Sequence, residues 1–383
     1  MTKIYLLLIL TVCTWSMAHA QKDSSAIKDS LLLIQLQSEM SAPPPAPVQT
    51  RSPVSSNPDI SVIGDFRGYY QSNMKRNFNA ELHETEFSFQ SVVDPYVRAD
   101  FFYSVTHDSA GGFQSEVEEG YLTTLALPAH LQLKVGKFKQ NFGRINAVHP
   151  HALSFIDMPN AYVHYFGEEG LNDEGLSASW LLPNHSFFQE LTVELTDGQR
   201  DGVSFARSTG NDFMKLAHLK NFWDLSQNAT LELGLSGMNG ANPFGYTSTL
   251  LAADLTYKWK PVQMNTYKSF AFQNEFYYSQ AKIGSDTTVN SIGAYSMINY
   301  QIAKRTFLTA RYDYSNLPNN ASYIEQAYSL TFGWLATEFQ KIEIEGKMTS
   351  ANMEIASNNF YKNYNQVLLR WIFVIGTHGA HQY

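Results

Sequence analysis

The sequence predicts an all-β fold: a transmembrane antiparallel β-barrel of about sixteen strands, preceded by a short N-terminal periplasmic helix and a Pro-rich linker. Three observations carry this. Between Asp59 and Ile375 the chain breaks into short segments in which apolar and polar residues alternate, as they must when successive side chains point to opposite faces of a sheet. The gaps between segments alternate short and long, the rhythm of tight turns on one side of a membrane and longer loops on the other. Aromatic residues make up 14% of the chain and charged residues only 16%, whereas a soluble domain carries about 25% charge. An aromatic excess with little charge suits a lipid-facing surface bounded by interfacial girdles. A secreted β-sandwich or solenoid is the competing reading.

The elements follow in order. Residues 1–20 read as an export signal: Lys3 is the basic start, Ile4 to Met17 the apolar run, and Ala18-His19-Ala20 the cleavage site. Cys13 lies inside that signal, so the mature chain is expected to hold no thiol, which excludes disulfides and zinc–thiolate sites. Residues 21–58 are expected to lie outside the barrel, as a helix over Ser24 to Met40 followed by an extended stretch punctuated by Pro43, Pro44, Pro45, Pro47, Pro53 and Pro58. The barrel is expected over 59–383. Beyond the signal there is no apolar run of about 18 residues, so no membrane-spanning helix is expected.

Lipid-side residues mark the strands. Val62, Phe66 and Tyr70 mark the first, Tyr121, Leu125 and Leu127 the fourth, and Leu251 to Trp259 the tenth. Leu369, Trp371, Phe373 and Ile375 mark the last. An even strand count puts both termini on the periplasmic side and the long gaps outside, at 71–81, 106–114, 140–173, 198–211, 239–248, 281–291, 315–323 and 350–362. A plugged, energised receptor needs about 22 strands and a plug domain, and segment 21–58 is too short for the plug.

The gap at 140–173 is the third outer loop and the longest, and loops of that length inside a compact domain are usually functional. It follows Val135-Gly136-Lys137-Phe138-Lys139-Gln140-Asn141-Phe142-Gly143-Arg144. This segment resembles the strand-to-loop segment of the phosphate-selective porins of the O and P type, with Asn141 where that family has a proline. The resemblance implies an outer-membrane location and a third loop that folds into the lumen as a constriction. It also implies a homotrimer and a passive channel for small hydrophilic solutes or ions. Gly167, Gly170 and Gly175 are expected to turn the loop back toward the wall.

Residues between the greasy positions are expected to face water. The basic pore-lining candidates are Arg67, Arg98, Lys134, Lys137, Arg144, Arg311 and Arg370, and the acidic ones include Glu84, Glu116 and Glu118. Acidic residues outnumber basic ones on these faces, which favours cations, although most are expected to pair across neighbouring strands. The net charge of −8 argues against a nucleic-acid partner.

The loop also contains His149-Pro150-His151. Two imidazoles at that spacing can reach one ion when the backbone is extended. His149, His151 and Asp157 are therefore the candidate ligands of a divalent metal such as zinc, in an alternative role as a metal-binding or uptake component. Ordinary solvated histidines are the plainer reading. No cofactor is otherwise expected. No nucleophile elbow, P-loop or dinucleotide fingerprint occurs, so catalysis is not expected.

Overall fold

The structure is a computed structural model. It describes residues 58–376 except 74–77, 108–111, 185, 199–201, 208–212 and 355–361. The expected signal, helix and most of the linker lie outside the described residues.

Sixteen antiparallel strands close into a barrel in which every strand pairs with its sequence neighbours and β1 pairs with β16. They are β1 (Asp59–Gln71), β2 (Phe78–Asp94), β3 (Val97–His107), β4 (Phe113–Thr124), β5 (Leu131–Lys139), β6 (Asn172–Leu181), β7 (Phe188–Thr196) and β8 (Met214–Ser226). The second half is β9 (Ala229–Ala241), β10 (Thr247–Trp259), β11 (Phe270–Lys282), β12 (Thr288–Ala303), β13 (Thr306–Leu317), β14 (Asn320–Thr337), β15 (Gln340–Ala351) and β16 (Asn363–Gly376). The helix α1 (Asn160–Phe166) lies in the loop between β5 and β6.

Closure satisfies the backbone within the sheet and leaves no edge to lipid. The alternation then sorts the side chains. On β14, Tyr328, Leu330, Phe332 and Trp334 are 61%, 53%, 44% and 45% exposed, while Ser329 and Thr331 between them are buried. The outward rings also pair across strands, as Tyr312 does with Tyr328 at a centroid distance of 5.0 Å.

Two expectations are corrected. Tyr121 faces inward rather than to lipid. Glu118 is the extra residue of a bulge, since Phe102 pairs with Glu119 and Tyr103 with Val117. One inserted residue exchanges the faces of all that follow it, so Tyr121 pairs with inward Asp100 and stacks beneath the Lys134 ammonium at 4.4 Å. The second concerns 315–323, expected as a long loop. Here β13 and β14 run on to a tight turn at Pro318-Asn319. The longer connection lies at the other end of the barrel, at 260–269 between β10 and β11.

Candidate functional site

After Lys139 the chain leaves the wall and crosses the lumen as a re-entrant loop before rejoining it at Asn172. Its neck is knotted by Asn146. The Asn146 amide donates to the Gln140 and Leu171 carbonyls at 2.7 and 2.9 Å, and its oxygen accepts from the Leu171 N–H and the Tyr162 hydroxyl at 2.8 and 2.7 Å. At the start of the loop, the Asn141 N–H and side-chain amide both donate to Glu194 on β7. Proline has no N–H, so Asn141 makes a wall contact here that a proline could not make. Gly143 follows at φ 61°, and a Cβ there would lie 2.4 Å from Glu275 Oε2. That closeness lets the Arg144 and Ile145 N–H groups reach Glu275 Oε1 at 3.0 and 2.9 Å.

Three sectors of the wall hold the loop. Against β8 to β12 the contact is apolar. Loop residues Phe142, Ile145, Phe155, Tyr165 and Phe166 form one buried cluster with wall residues such as Met214, Leu250, Tyr277 and Met297. The helix α1 begins after Pro159, whose carbonyl accepts the Val163 N–H at 3.1 Å, and ends at Gly167 with φ 82°. It comes close to β12 because Gly293 has no side chain: a Cβ there would meet the Tyr165 ring at 2.9 Å. Gly170 also has positive φ, whereas Gly175 is extended within β6, where the wall backbone leaves no room for a Cβ.

Against β13 to β16 the grip is ionic. The Arg370 guanidinium, fully buried, donates to the Pro150, Leu153 and Phe155 carbonyls at 3.2, 3.2 and 2.7 Å and to Glu343 at 2.7 Å. Lys341 donates to the His151 and Leu153 carbonyls at 2.9 and 2.8 Å. Asp157 takes a bond of 2.8 Å from Arg311 and a short one from Lys347. Burial opposes ionisation of Asp157, but Lys347 and Arg311 hold its carboxyl well below the usual carboxylate range. His164 on α1 lies 3.4 Å from Glu325 on β14, and burial pushes its imidazole down despite that carboxylate.

Against β2 and β4 the grip runs through histidine. His149 Nδ1 lies 3.1 Å from Glu86 and Nε2 lies 2.9 Å from Glu119, and His151 Nδ1 lies 3.5 Å from Glu86. Burial would lower the His149 imidazole, but its hydrogen bonds with Glu119 and Glu86 overrule this and hold it up at about 10.

The expected pore-lining residues therefore separate. Arg311 and Arg370 face inward but are buried beneath the loop instead of facing water. Glu118 is buried too, paired with Lys139 at 2.8 Å. Lys137 shares the outward phase of Val135 and donates to the Val117 carbonyl at 2.6 Å. With exposed Glu116 it lines a cavity of about 660 Å³ beside Glu168, Glu169 and Asp173. Arg67 sits on Asp65 and Arg98 on Asp100, both at 2.8 Å, while Glu84 and Lys134 are half-buried. Arg144 reaches Glu232 on β9, which also lies 3.4 Å from Lys220 on β8. Lys258 on β10 is exposed and within electrostatic reach of the same carboxylate. Asp157 stands with Arg311 and Lys347, apart from the two histidines, and the donor that joins those is Glu86. The sequence marks Glu86 as a lumen-facing carboxylate but not as the partner of the two histidines, and it gives no sign of the Asn146 knot, because both roles arise only once separate segments meet.

No family model matches the chain. It is 28% identical over 355 residues to an uncharacterized protein of Aquifex aeolicus (strain VF5), covering 81% of this chain and 71% of that one. Among solved structures it superposes on an anion-selective porin from Comamonas acidovorans with a TM-score of 0.57 at 9% identity, covering 82% of this chain and 98% of that one. The outer membrane channel DcaP of Acinetobacter baumannii gives a TM-score of 0.56 at 12% identity, over 85% and 99% of the two chains. OmpT, an outer membrane protein of Vibrio cholerae, gives a TM-score of 0.54 at 10% identity in its trimer form, over 83% and 100%. The chain thus has the sixteen-stranded barrel fold of outer-membrane porins and channels.

Proposed function

We propose that the protein is a passive outer-membrane channel for small hydrophilic solutes or ions, narrowed by the loop that crosses its lumen. The observation that carries this reading is the sorting of charge around that loop. Carboxylates dominate the inward face in number, yet Glu86, Glu118, Glu194, Asp254, Glu343 and Glu345 are all buried. The basic residues that water reaches beside the loop are Arg144, Lys220 and Lys258 around Glu232, whereas the accessible carboxylates Glu84 and Glu116 lie on β2 and β4. A narrow point is governed by the charges that water reaches there. We therefore place the constriction between the loop and β8 to β10, with a preference for anions. The Val135-to-Arg144 likeness to phosphate-selective porins and the fold likeness to an anion-selective porin agree with this.

Planar-bilayer recording tests it. Purified protein is expected to give discrete conductance steps, with a reversal potential in a salt gradient that reports anion preference. Lys220→Glu with Lys258→Glu is expected to invert that sign. Absence of steps would end the channel reading, and an unchanged reversal potential would move the constriction elsewhere. The assembly proposed is a homotrimer, supported by the trimer form of one structural neighbour, and chemical crosslinking in native membrane checks it.

A further inference from the structure

We propose that Glu86, His149 and His151 bind one divalent transition metal of the zinc class, which staples the re-entrant loop to β2 and β4. Their ligand atoms all lie within 4.8 Å of one another. Glu86 Oε2 is 3.1 Å from His149 Nδ1 and 3.5 Å from His151 Nδ1. Tetrahedral zinc with bonds of about 2.0–2.1 Å has edges of about 3.4 Å between its ligands, so both spacings fit. Glu118 Oε1 lies 3.7 Å from His149 Nδ1 but is already held by Lys139 at 2.8 Å, so the fourth position is left to a non-protein ligand such as water.

The surroundings fit a metal as well as the donors do. A ligating histidine typically gives its second ring N–H to a carboxylate, which fixes tautomer and ring plane. His149 Nε2 does so toward Glu119 Oε1 at 2.9 Å. Glu86 Oε1 and Glu118 Oε2 are buried with no hydrogen-bond partner among the described residues. These are not the oxygens that face the imidazoles, but they leave the pocket with unneutralised negative charge, which a bound cation offsets. Glu84 clusters with Glu86 and Glu118 and adds to that negative charge.

The backbone is preorganised. Pro150 opens a short 3-10 turn, His149 before it is extended at φ −64° and ψ 140°, and the two imidazole centroids are 5.5 Å apart. From the other flank Arg370 and Lys341 hold the Pro150 and His151 carbonyls. An ion at this point ties the loop to both flanks at once, taking the place of the proton between His149 and Glu86. Its bearing on conduction, though not its existence, rests on the channel reading above.

The test is calorimetric titration of zinc chloride into the chelator-stripped full chain in detergent. One zinc per chain is expected. His151→Ala and Glu86→Gln should each weaken it at least tenfold, Glu119→Gln by about 10–100-fold, and His164→Ala should leave it unchanged. Because a variant can fail to fold, wild-type crystals soaked in zinc provide a second measurement: an anomalous peak at the zinc edge is expected between Glu86 and the two imidazoles. No saturable heat, equal affinity in wild type and Glu86→Gln, or a peak only elsewhere would each overturn the proposal. Conductance is read separately. Zinc at this site in a protein that never conducts upholds the site and refutes the channel, while a conducting protein that binds no zinc does the reverse.

Discussion

Two sectors of the wall hold the same loop by different physics. The β8-to-β12 sector offers Met214, Leu250, Tyr277 and Met297, and its grip is burial of apolar surface. The β13-to-β16 sector offers Arg311, Lys341, Lys347 and Arg370, each aimed at a particular loop oxygen. Burial is strong but non-directional, so it holds the loop inside without choosing a register. The ionic sector chooses the register, because a cation shifted by one residue leaves both its carbonyl and its carboxylate unpaired.

That contrast can be broken from the ionic side first. Arg370→Met leaves buried Glu343 with only Lys341 at 3.5 Å and strips the Phe155 carbonyl of its guanidinium donor, and breaking a buried pair costs about 3–5 kcal/mol. The urea midpoint in detergent should fall accordingly, with conductance becoming noisier as the loop loses its register. The apolar side comes next. Leu171→Ala at the fully buried neck is expected to cost about 2–5 kcal/mol through lost packing and a cavity. If its cost exceeded that of Arg370→Met, burial rather than ion pairing would rank as the main restraint.

Acid separates the groups by sign. The folded pKa of His164 lies below its ordinary 6.5, so its contribution is complete above that pH and is lost as pH falls toward the depressed value. Asp157 is also depressed, from an ordinary 3.8, so its latch persists until the medium is more acid than that. A pH series of loop proteolysis should therefore show a first loosening below about 6.5 that His164→Phe removes. A second loosening should come only in strong acid, and Asp157→Asn should bring it forward to neutral pH. The smallest effect belongs to Arg98, whose side chain is 42% exposed beside Asp100. Arg98→Lys, which keeps a cation beside the buried Asp100, should shift stability by less than about 1 kcal/mol.

Much of the barrel was legible because a two-residue period declares itself locally. Each predicted strand coincides with an observed one, including β8, where His218 and Lys220 blur the alternation. The places that misled were those where one residue changes the period or a strand runs on. The Glu118 bulge turned Tyr121 inward, and Pro318-Asn319 closed a hairpin where a loop was expected. The candidate site was legible only in part. His149 and His151 are adjacent in sequence and stand out, but Glu86 is brought to them from β2 by closure of the sheet.

Alternation, aromatic excess and turn spacing by themselves determined a closed sheet with an oily exterior, since these are properties of neighbouring residues and of the medium around them. Which inward charges meet water, and which disappear beneath a loop, was decided only when that loop crossed the lumen. Arg370 and Lys258 look alike as single letters, and one is fully buried on loop carbonyls while the other is exposed. The reason is that burial and pairing depend on partners far along the chain, and only the tertiary structure chooses those.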